Sequence, residues 1–375
     1  MNDEFYSQTL RVDPALLSGE PAAAEKLGHY LVRISGAETG KRTQIGDAGM
    51  TIGRSPDQTL VVPDTSVSRR HARISIVNGQ VVAEDLGSTN GTFVDGVRLK
   101  TPRKVENGSV IKLGDQVFRY ERRSEEDIRR REELDRELAQ ASEYVLSLLP
   151  APLDDGPVHT EWRFVPSAQL GGDAFGYYWL DGNTFVLFMI DVSGHGVGAA
   201  MHSVAVVNVL RQRALPGVDW RDPGQVLASL NDRFQMDRYN GMLFTMWYGV
   251  YDAGSRTLSY SGAGHHPAYL VAPGERAATP LGIKSLMLGA VPEITYRVER
   301  AAIHPRSVLY LFSDGAFEIT TTKQARWTLN DFIPLVTAPS EPEAPEPERL
   351  LQAVRQVAGP GPLEDDCSIV VATFS

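Results

Sequence analysis

Between residues 29 and 121, short apolar runs alternate with turn signals: YLVRI before GAETGK, MTIG before RSPDQ, ARISIV before NGQ, VVAEDL before GSTNG, and TFV before DGV. Runs of this length closed by Asn-Gly and Asp-Gly turns predict an all-β sandwich. From 122 to 149 a charged start gives way to Leu134, Leu138, Ala141, Val145 and Leu148, spaced four, three, four and three. That spacing predicts a helix with a heptad seam, a coiled-coil linker between two domains whose apolar stripe is expected either to pair in a dimer or to pack against the second domain. Glu125 with Arg129, Glu126 with Arg130 and Glu132 with Arg136, each four apart, support it slightly. Pro150 and Pro152 stop it, because proline supplies no amide hydrogen and disfavours helix in the preceding residue. From Thr160 onward, strand-like runs (TFVLFMI, MWYGVYD, TLSYSGA, PAYLVA, SVLYLFS, SIVVATF) mix with helical stretches at 198–212 and 223–236. The second domain, 150–375, is therefore expected to be a layered α+β domain. APSEPEAPEPER, at 338–349, is too rich in proline and glutamate to bury a core and is expected to be a surface excursion. Residues 1–28 carry no clear signal.

Composition narrows the class. A chain of 375 residues is long for one core, which agrees with two domains. The single cysteine, Cys367, excludes an intrachain disulfide and a multi-thiolate zinc site, and it is expected to pack as a small apolar residue. No run reaches the roughly 18 apolar residues of a membrane helix, and the opening MNDEFYSQTL lacks a basic start and apolar core, so a cytoplasmic protein without a membrane partner is expected. A net charge of -10 argues against a nucleic-acid partner, and with it against a metal-dependent nuclease.

In the β domain, Gly53-Arg54-Ser55, then Ser68-Arg69-Arg70-His71, then Ser88-Thr89-Asn90-Gly91-Thr92 fall on loops between strands. A guanidinium gives charge-assisted forked bonds and neutral hydroxyl and amide groups fix orientation, so such a set suits a phosphate dianion; no general base accompanies it. Each residue alone would serve only a turn or the core. In this order, and followed by NGS and IKLGD, the motifs resemble the forkhead-associated (FHA) domain, a phosphothreonine-binding β-sandwich, over nearly all of 29–121. The resemblance implies that Arg54 and Ser68 hold the phosphate, Arg69 adds a contact, Asn90 and Thr89 grip the peptide backbone, and His71 is architectural.

In the second domain four acidic positions sit beside the ends of apolar strands. They are Asp173 in GGD, Asp191 where FVLFMI runs into DVSGHG, Asp314 where SVLYLF runs into SDG, and Asp365 in EDD before the last strand. Buried together, carboxylates repel one another unless cations neutralise them, and oxygen-only ligands suit magnesium or manganese. Two such ions, roughly 3.5 to 4 Å apart, could hold a phosphoryl group and activate water to attack phosphorus.

The ordered series resembles the metal-dependent protein phosphatase superfamily, the type 2C serine/threonine phosphatases, and within it the bacterial branch typified by the stage II sporulation protein E phosphatase. Phe244-Thr245, Gly262-Ala263-Gly264-His265, Leu288-Gly289 and Glu318 extend the likeness over 140–375. A β-sandwich flanked by helices is implied, with two manganese or magnesium ions. Asp191 would bridge both, assisted by the Val192 carbonyl, and Asp173, Asp314 and Asp365 would complete the shells. Asp366 stands where many relatives have asparagine and is a weaker candidate. Gly176 departs from a commonly acidic position, and Ser193 stands where some type 2C enzymes carry a histidine acid. His195, His202, His265 and His266 match no known acid role and are expected to be structural.

The expected protein is thus a phosphoserine/phosphothreonine phosphatase in bacterial-type signalling. Its partners would be a phosphoprotein substrate and a phosphothreonine protein held by the FHA module, with a possible homodimer through the linker helix. The alternative is a catalytically weak scaffold that only binds phosphopeptides.

Overall fold

The computed structural model describes residues 27–35, 38–322, 324–338 and 344–375, so most of the unassigned amino-terminal segment lies outside the described residues. The chain forms two compact units that divide between Asp135 and Arg136.

The first unit is a β-sandwich. One sheet orders the strands Arg42–Ile45, Leu27–Arg33, Gln116–Ser124, Val110–Leu113, Thr92–Val94 and Val97–Arg98; the other orders Leu60–Val61, Met50–Gly53, Ala72–Val77, Gln80–Asp85 and Arg103–Val105. Alternate side chains point inward, and Leu31, Ile52, Ile74, Val94, Ile111 and Phe118 form a common core. Two of the expected tight turns have both central residues at positive φ, Asn78 and Gly79 (50° and 72°) and Asp95 and Gly96 (50° and 77°). That geometry matches the twist of a hairpin and selects Asn-Gly and Asp-Gly.

Helix α1, Glu125–Ser147, follows directly, and Arg130 pairs with Glu126 at 2.6 Å as its spacing predicted. Of the two partners expected for its seam, the structure shows the second domain: Leu138, Ala141 and Val145 pack against Leu170, Ala200 and Val204. Leu134, Tyr144 and Leu146 stay exposed.

The second unit stacks two five-stranded sheets. One orders Ala174–Trp179, Thr184–Val192, Phe244–Asp252, Thr257–Ala263 and Glu299–Ala302, and the other Val158–Val165, Cys367–Phe374, Val308–Phe312, Ala268–Val271 and Thr279–Leu281. Thr184–Val192 is apolar without alternation because both of its faces are covered. Phe185, Leu187 and Met189 face the opposing sheet, while Val186, Phe188 and Ile190 face the helices α2, Val197–Arg211, and α3, Pro223–Arg233. The opposing sheet does the same. Leu309, Leu311, Val370 and Ala372 point inward, and Phe312, Ile369 and Val371 pack under α4, Leu329–Val336, and α5, Glu346–Ala358.

Helix α5 corrects the expected excursion. Of 338–349, residues 339–343 lie outside the description, but Glu346 to Arg349 form the first turn of α5. Pro347 supplies a tolerated early-turn proline, and Leu350, Leu351 and Val354 bury the face that follows. Cys367 is fully buried among these apolar residues as expected, and burial pushes its thiol pKa up. Among the described residues, no helix is long and apolar enough to cross a membrane.

Candidate active site and phosphopeptide-binding loops

The acidic positions of the second unit follow from strand parity. Asp191 continues the inward series Phe185, Leu187, Met189, and Asp173 precedes the inward pair Phe175 and Tyr177. Both carboxylates therefore emerge at one end of the layer between the sheets. Asp314 and Asp365 reach the same end from the opposing sheet, on the turns after Val308–Phe312 and before Cys367–Phe374. Two glycines permit the close approach. A Cβ on Gly315 would collide with the Asp366 carbonyl, and one on Gly172 would lie 3.0 Å from the Val192 carbonyl oxygen.

The electrostatics show the convergence. Burial, then repulsion from Asp314 and Asp365, raises the Asp191 pKa to about 7. Burial and then Asp365 raise Asp314 to about 6. Asp173 is pushed well above the usual carboxylate range by burial and by Asp191. Burial raises Asp365 as well, and nearby His195 partly counters that rise. Among the described residues, no Lys or Arg is a main influence on Asp191 or Asp314. Such a set calls for cations. Among the described residues no three His, Cys, Asp or Glu side chains converge tightly enough to hold one ion between them, so each ion would draw on one or two carboxylates plus water, the usual habit of magnesium.

Around the cluster lies a scaffold that motif reading did not identify. The Asp366 carboxylate, a weaker ligand candidate on sequence grounds, is fully engaged. One oxygen accepts the Ser167 N–H at 2.7 Å and its hydroxyl at 2.9 Å; the other accepts the Gly172 N–H at 2.6 Å and the Asp173 N–H at 3.4 Å. It holds the GGD turn. The Ser368 hydroxyl donates to Asp173 Oδ2 at 2.8 Å, and the Ser313 hydroxyl donates to the Asp366 carbonyl while accepting the Ser368 N–H, both at 2.9 Å. The available signal was serine at the end of otherwise apolar buried strands, in LFSD and CSIVV. Asp366→Ala should lower turnover by about 10- to 100-fold, as loss of an outer-shell partner does, while steady-state hydrolysis by Asp366→Asn, which keeps an acceptor, should fall less.

Gly176 belongs elsewhere. A Cβ there would strike the Phe188 ring on the helix-facing side of the sheet, so an acidic residue at this place would project away from the cluster unless Phe188 moved. His195 stands in the loop before α2 between Gly194 and Gly196, at φ 89° and 85°. His202 packs edge-on against Phe234, Tyr239 and Phe244. His265 is buried and His266 half-buried beside it, their Nδ1 atoms near the carbonyls of His266 and Pro267; desolvation lowers His265 to about 4 and His266 well below its usual value.

In the first unit the three loops meet. The Arg54 N–H donates to the Ser68 carbonyl at 3.0 Å, the Thr89 N–H donates to the Ser68 hydroxyl at 3.0 Å, and Asn90 Nδ2 donates to the Ser66 carbonyl at 2.8 Å. Arg54 and Arg69 remain exposed. His71 is buried and accepts the Ser68 N–H at Nδ1, which leaves Nε2 as the donor to the Gly91 carbonyl at 3.2 Å. It ties two loops together.

Comparison with known proteins agrees with this architecture. The profile of the stage II sporulation protein E (SpoIIE) family matches residues 181–375, and that of the FHA domain matches 50–114. The chain therefore belongs to the SpoIIE family, with an FHA domain ahead of the family's phosphatase-type fold. It is 42% identical over 85 residues to the FHA domain-containing protein FhaB of Mycobacterium tuberculosis, covering 23% of this chain and 55% of that one. It is 24% identical over 241 residues to the phosphoserine phosphatase RsbP of Bacillus subtilis, covering 63% and 57%. The SiaA-PP2C domain of Pseudomonas aeruginosa superposes with a TM-score of 0.57 at 20% identity, over 65% of this chain and 98% of that domain, which shows the shared fold. The chain spans little more than half the length of these two curated relatives.

Proposed function

We propose that the protein is a metal-dependent phosphoserine/phosphothreonine protein phosphatase in bacterial-type signalling, guided by an FHA module that binds phosphothreonine proteins. The observation that carries this reading is the convergence of Asp173, Asp191, Asp314 and Asp365 at one end of the inter-sheet layer, with repulsion at Asp191 and Asp314 that no cationic side chain among the described residues chiefly relieves. Asp173, Asp191, Asp314 and Asp365, with the Val192 carbonyl, would hold two manganese or magnesium ions. Bound there, the ions supply Lewis acidity and a water of lowered pKa. The chain's own contribution is to hold the carboxylates in place, Asp173 through Ser368 and the GGD turn through Asp366. In the FHA module, Arg54, Ser68 and Arg69 would face the phosphate, and Thr89 and Asn90 the peptide backbone. A homodimer through α1 would draw on the exposed Leu134, Tyr144 and Leu146, since Leu138, Ala141 and Val145 of the seam are occupied.

The metal requirement has a pH signature. Folded Asp191 and Asp314 titrate near 7 and 6, against an ordinary carboxylate value of 3.8 in the unfolded chain. Between about pH 4 and 7 the metal-free fold thus binds protons that the unfolded chain has released, so its stability on this account falls as pH rises. Metal must displace those protons, and the gain in melting temperature on adding manganese should grow steadily from pH 5 to pH 8. Buried His265 acts oppositely, its contribution being present above about pH 6.5 and lost toward its folded value of about 4, but it affects both forms alike and cancels in the difference. Thermal unfolding with and without manganese checks this. A gain independent of pH would remove the carboxylates from the metal site.

A further inference from the structure

Six large apolar side chains of the second unit, Val197, Met201, Met236, Leu286, Met287 and Val291, are 36% to 55% exposed. They lie on three segments stitched edge to edge beside the acidic cluster. Ser193, two residues after Asp191, donates its N–H and its hydroxyl to the Leu243 carbonyl at 2.9 and 2.8 Å. The Met236 N–H donates to the Gly289 carbonyl at 3.0 Å, and Phe244 and Leu288 exchange backbone bonds. The display is built rather than frayed. The buried Asn231 amide clamps the loop that carries Leu286 to Val291, donating to the Val291 carbonyl at 2.8 Å and accepting the Gly289 N–H at 2.9 Å. Residues 193–207 and 285–292 contain no Asp, Glu, Lys or Arg.

Large apolar side chains exposed on anchored, mutually bonded segments mark a contact site, and methionine suits surfaces that adapt to a partner. Its place decides the occupant. A phosphoryl group delivered to Asp191 and Asp314 leaves the residues flanking it on the substrate to lie on the surrounding rim, where the uncharged segments 193–207 and 285–292 offer apolar side chains and the exposed Asp237 and Arg238 stand only beside Met236. We propose that the patch is the docking surface of the phosphoprotein substrate, selecting a phosphoserine flanked by apolar side chains. This rests on the phosphatase reading above.

The test uses the full chain with manganese and three probes: a short phosphoserine peptide with leucines flanking the phosphoserine, the same peptide with serines at those places, and p-nitrophenyl phosphate. The leucine peptide should be favoured about tenfold or more in kcat/KM, as a few apolar anchors carry most of a contact. In the Met201→Gln/Leu286→Gln double variant the preference should vanish while p-nitrophenyl phosphate is hydrolysed as before, and Met236→Gln/Val291→Thr should repeat the result if the first pair disturbs folding. Equal rates for the two peptides in the wild-type protein, or a preference that survives both pairs of substitutions, overturn the proposal. So does a wild-type mass by light scattering of two chains that falls to one in the variants, because the patch then holds a second copy. If wild-type protein hydrolyses none of the three probes, the phosphatase reading itself falls and takes the docking surface with it.

Discussion

Asp191→Ala and Asp314→Ala should each lower phosphoserine hydrolysis by at least about a thousandfold, since charge stabilisation by a bound metal is worth several kcal/mol and each 1.4 kcal/mol is tenfold. The same substitutions should raise the melting temperature of the metal-free protein. Burial and mutual repulsion hold Asp191 and Asp314 at about 7 and 6, so at pH 8 each ionised carboxylate destabilises the empty fold. Loss of activity combined with gain of metal-free stability distinguishes loss of a ligand from loss of structure. Thermal unfolding at pH 8 beside a steady-state phosphate-release assay reads both. A variant that is inactive and also less stable without metal would point to a structural role instead.

Arg54→Ala should weaken binding of a phosphothreonine peptide by at least about tenfold, because a charge-assisted bond to a dianion contributes about 1.5 to 3 kcal/mol. Arg54 is exposed, and its backbone N–H is already tied to the Ser68 carbonyl, so removing the side chain leaves the loop intact. Ser68→Ala should lose less affinity and also loosen the Thr89 loop, whose N–H rests on the Ser68 hydroxyl. Calorimetry of the full chain with phosphothreonine and phosphoserine versions of one peptide should show a preference for threonine. Unchanged affinity in Arg54→Ala would remove that side chain from the site.

The places of the acidic residues were legible in the sequence because they sit where period and turn meet. A carboxylate directly after a run such as FVLFMI can only emerge at a strand end, and Asn78-Gly79 and Asp95-Gly96 announce hairpins through their backbone freedom. What holds the carboxylates was not legible. Ser313, Ser368 and Asp366 act across 53 to 199 residues of chain, a separation at which local patterns say nothing. Asp366 in particular reads only as a weaker ligand candidate beside Asp365, and nothing local shows that its oxygens are taken by Ser167 and the amides of a distant turn. The seam of α1 was visible as a stripe, but periodicity cannot say whether another copy or the chain's own α2 covers it; Ala200 and Val204 do. Helix α5 was hidden because Pro345 and Pro347 precede its apolar face, and a proline-glutamate composition outweighs a pattern that begins only at Leu350.

The central claim is tested most directly by following phosphate release from a phosphoserine peptide by the wild-type full chain, with manganese or magnesium, without added metal, and in excess chelator. The account predicts multiple turnovers with either ion, loss of activity in chelator, and recovery when metal is restored. Equal hydrolysis in chelator would contradict the two-metal mechanism, and absence of hydrolysis with both metals would leave a phosphopeptide-binding scaffold in place of an enzyme.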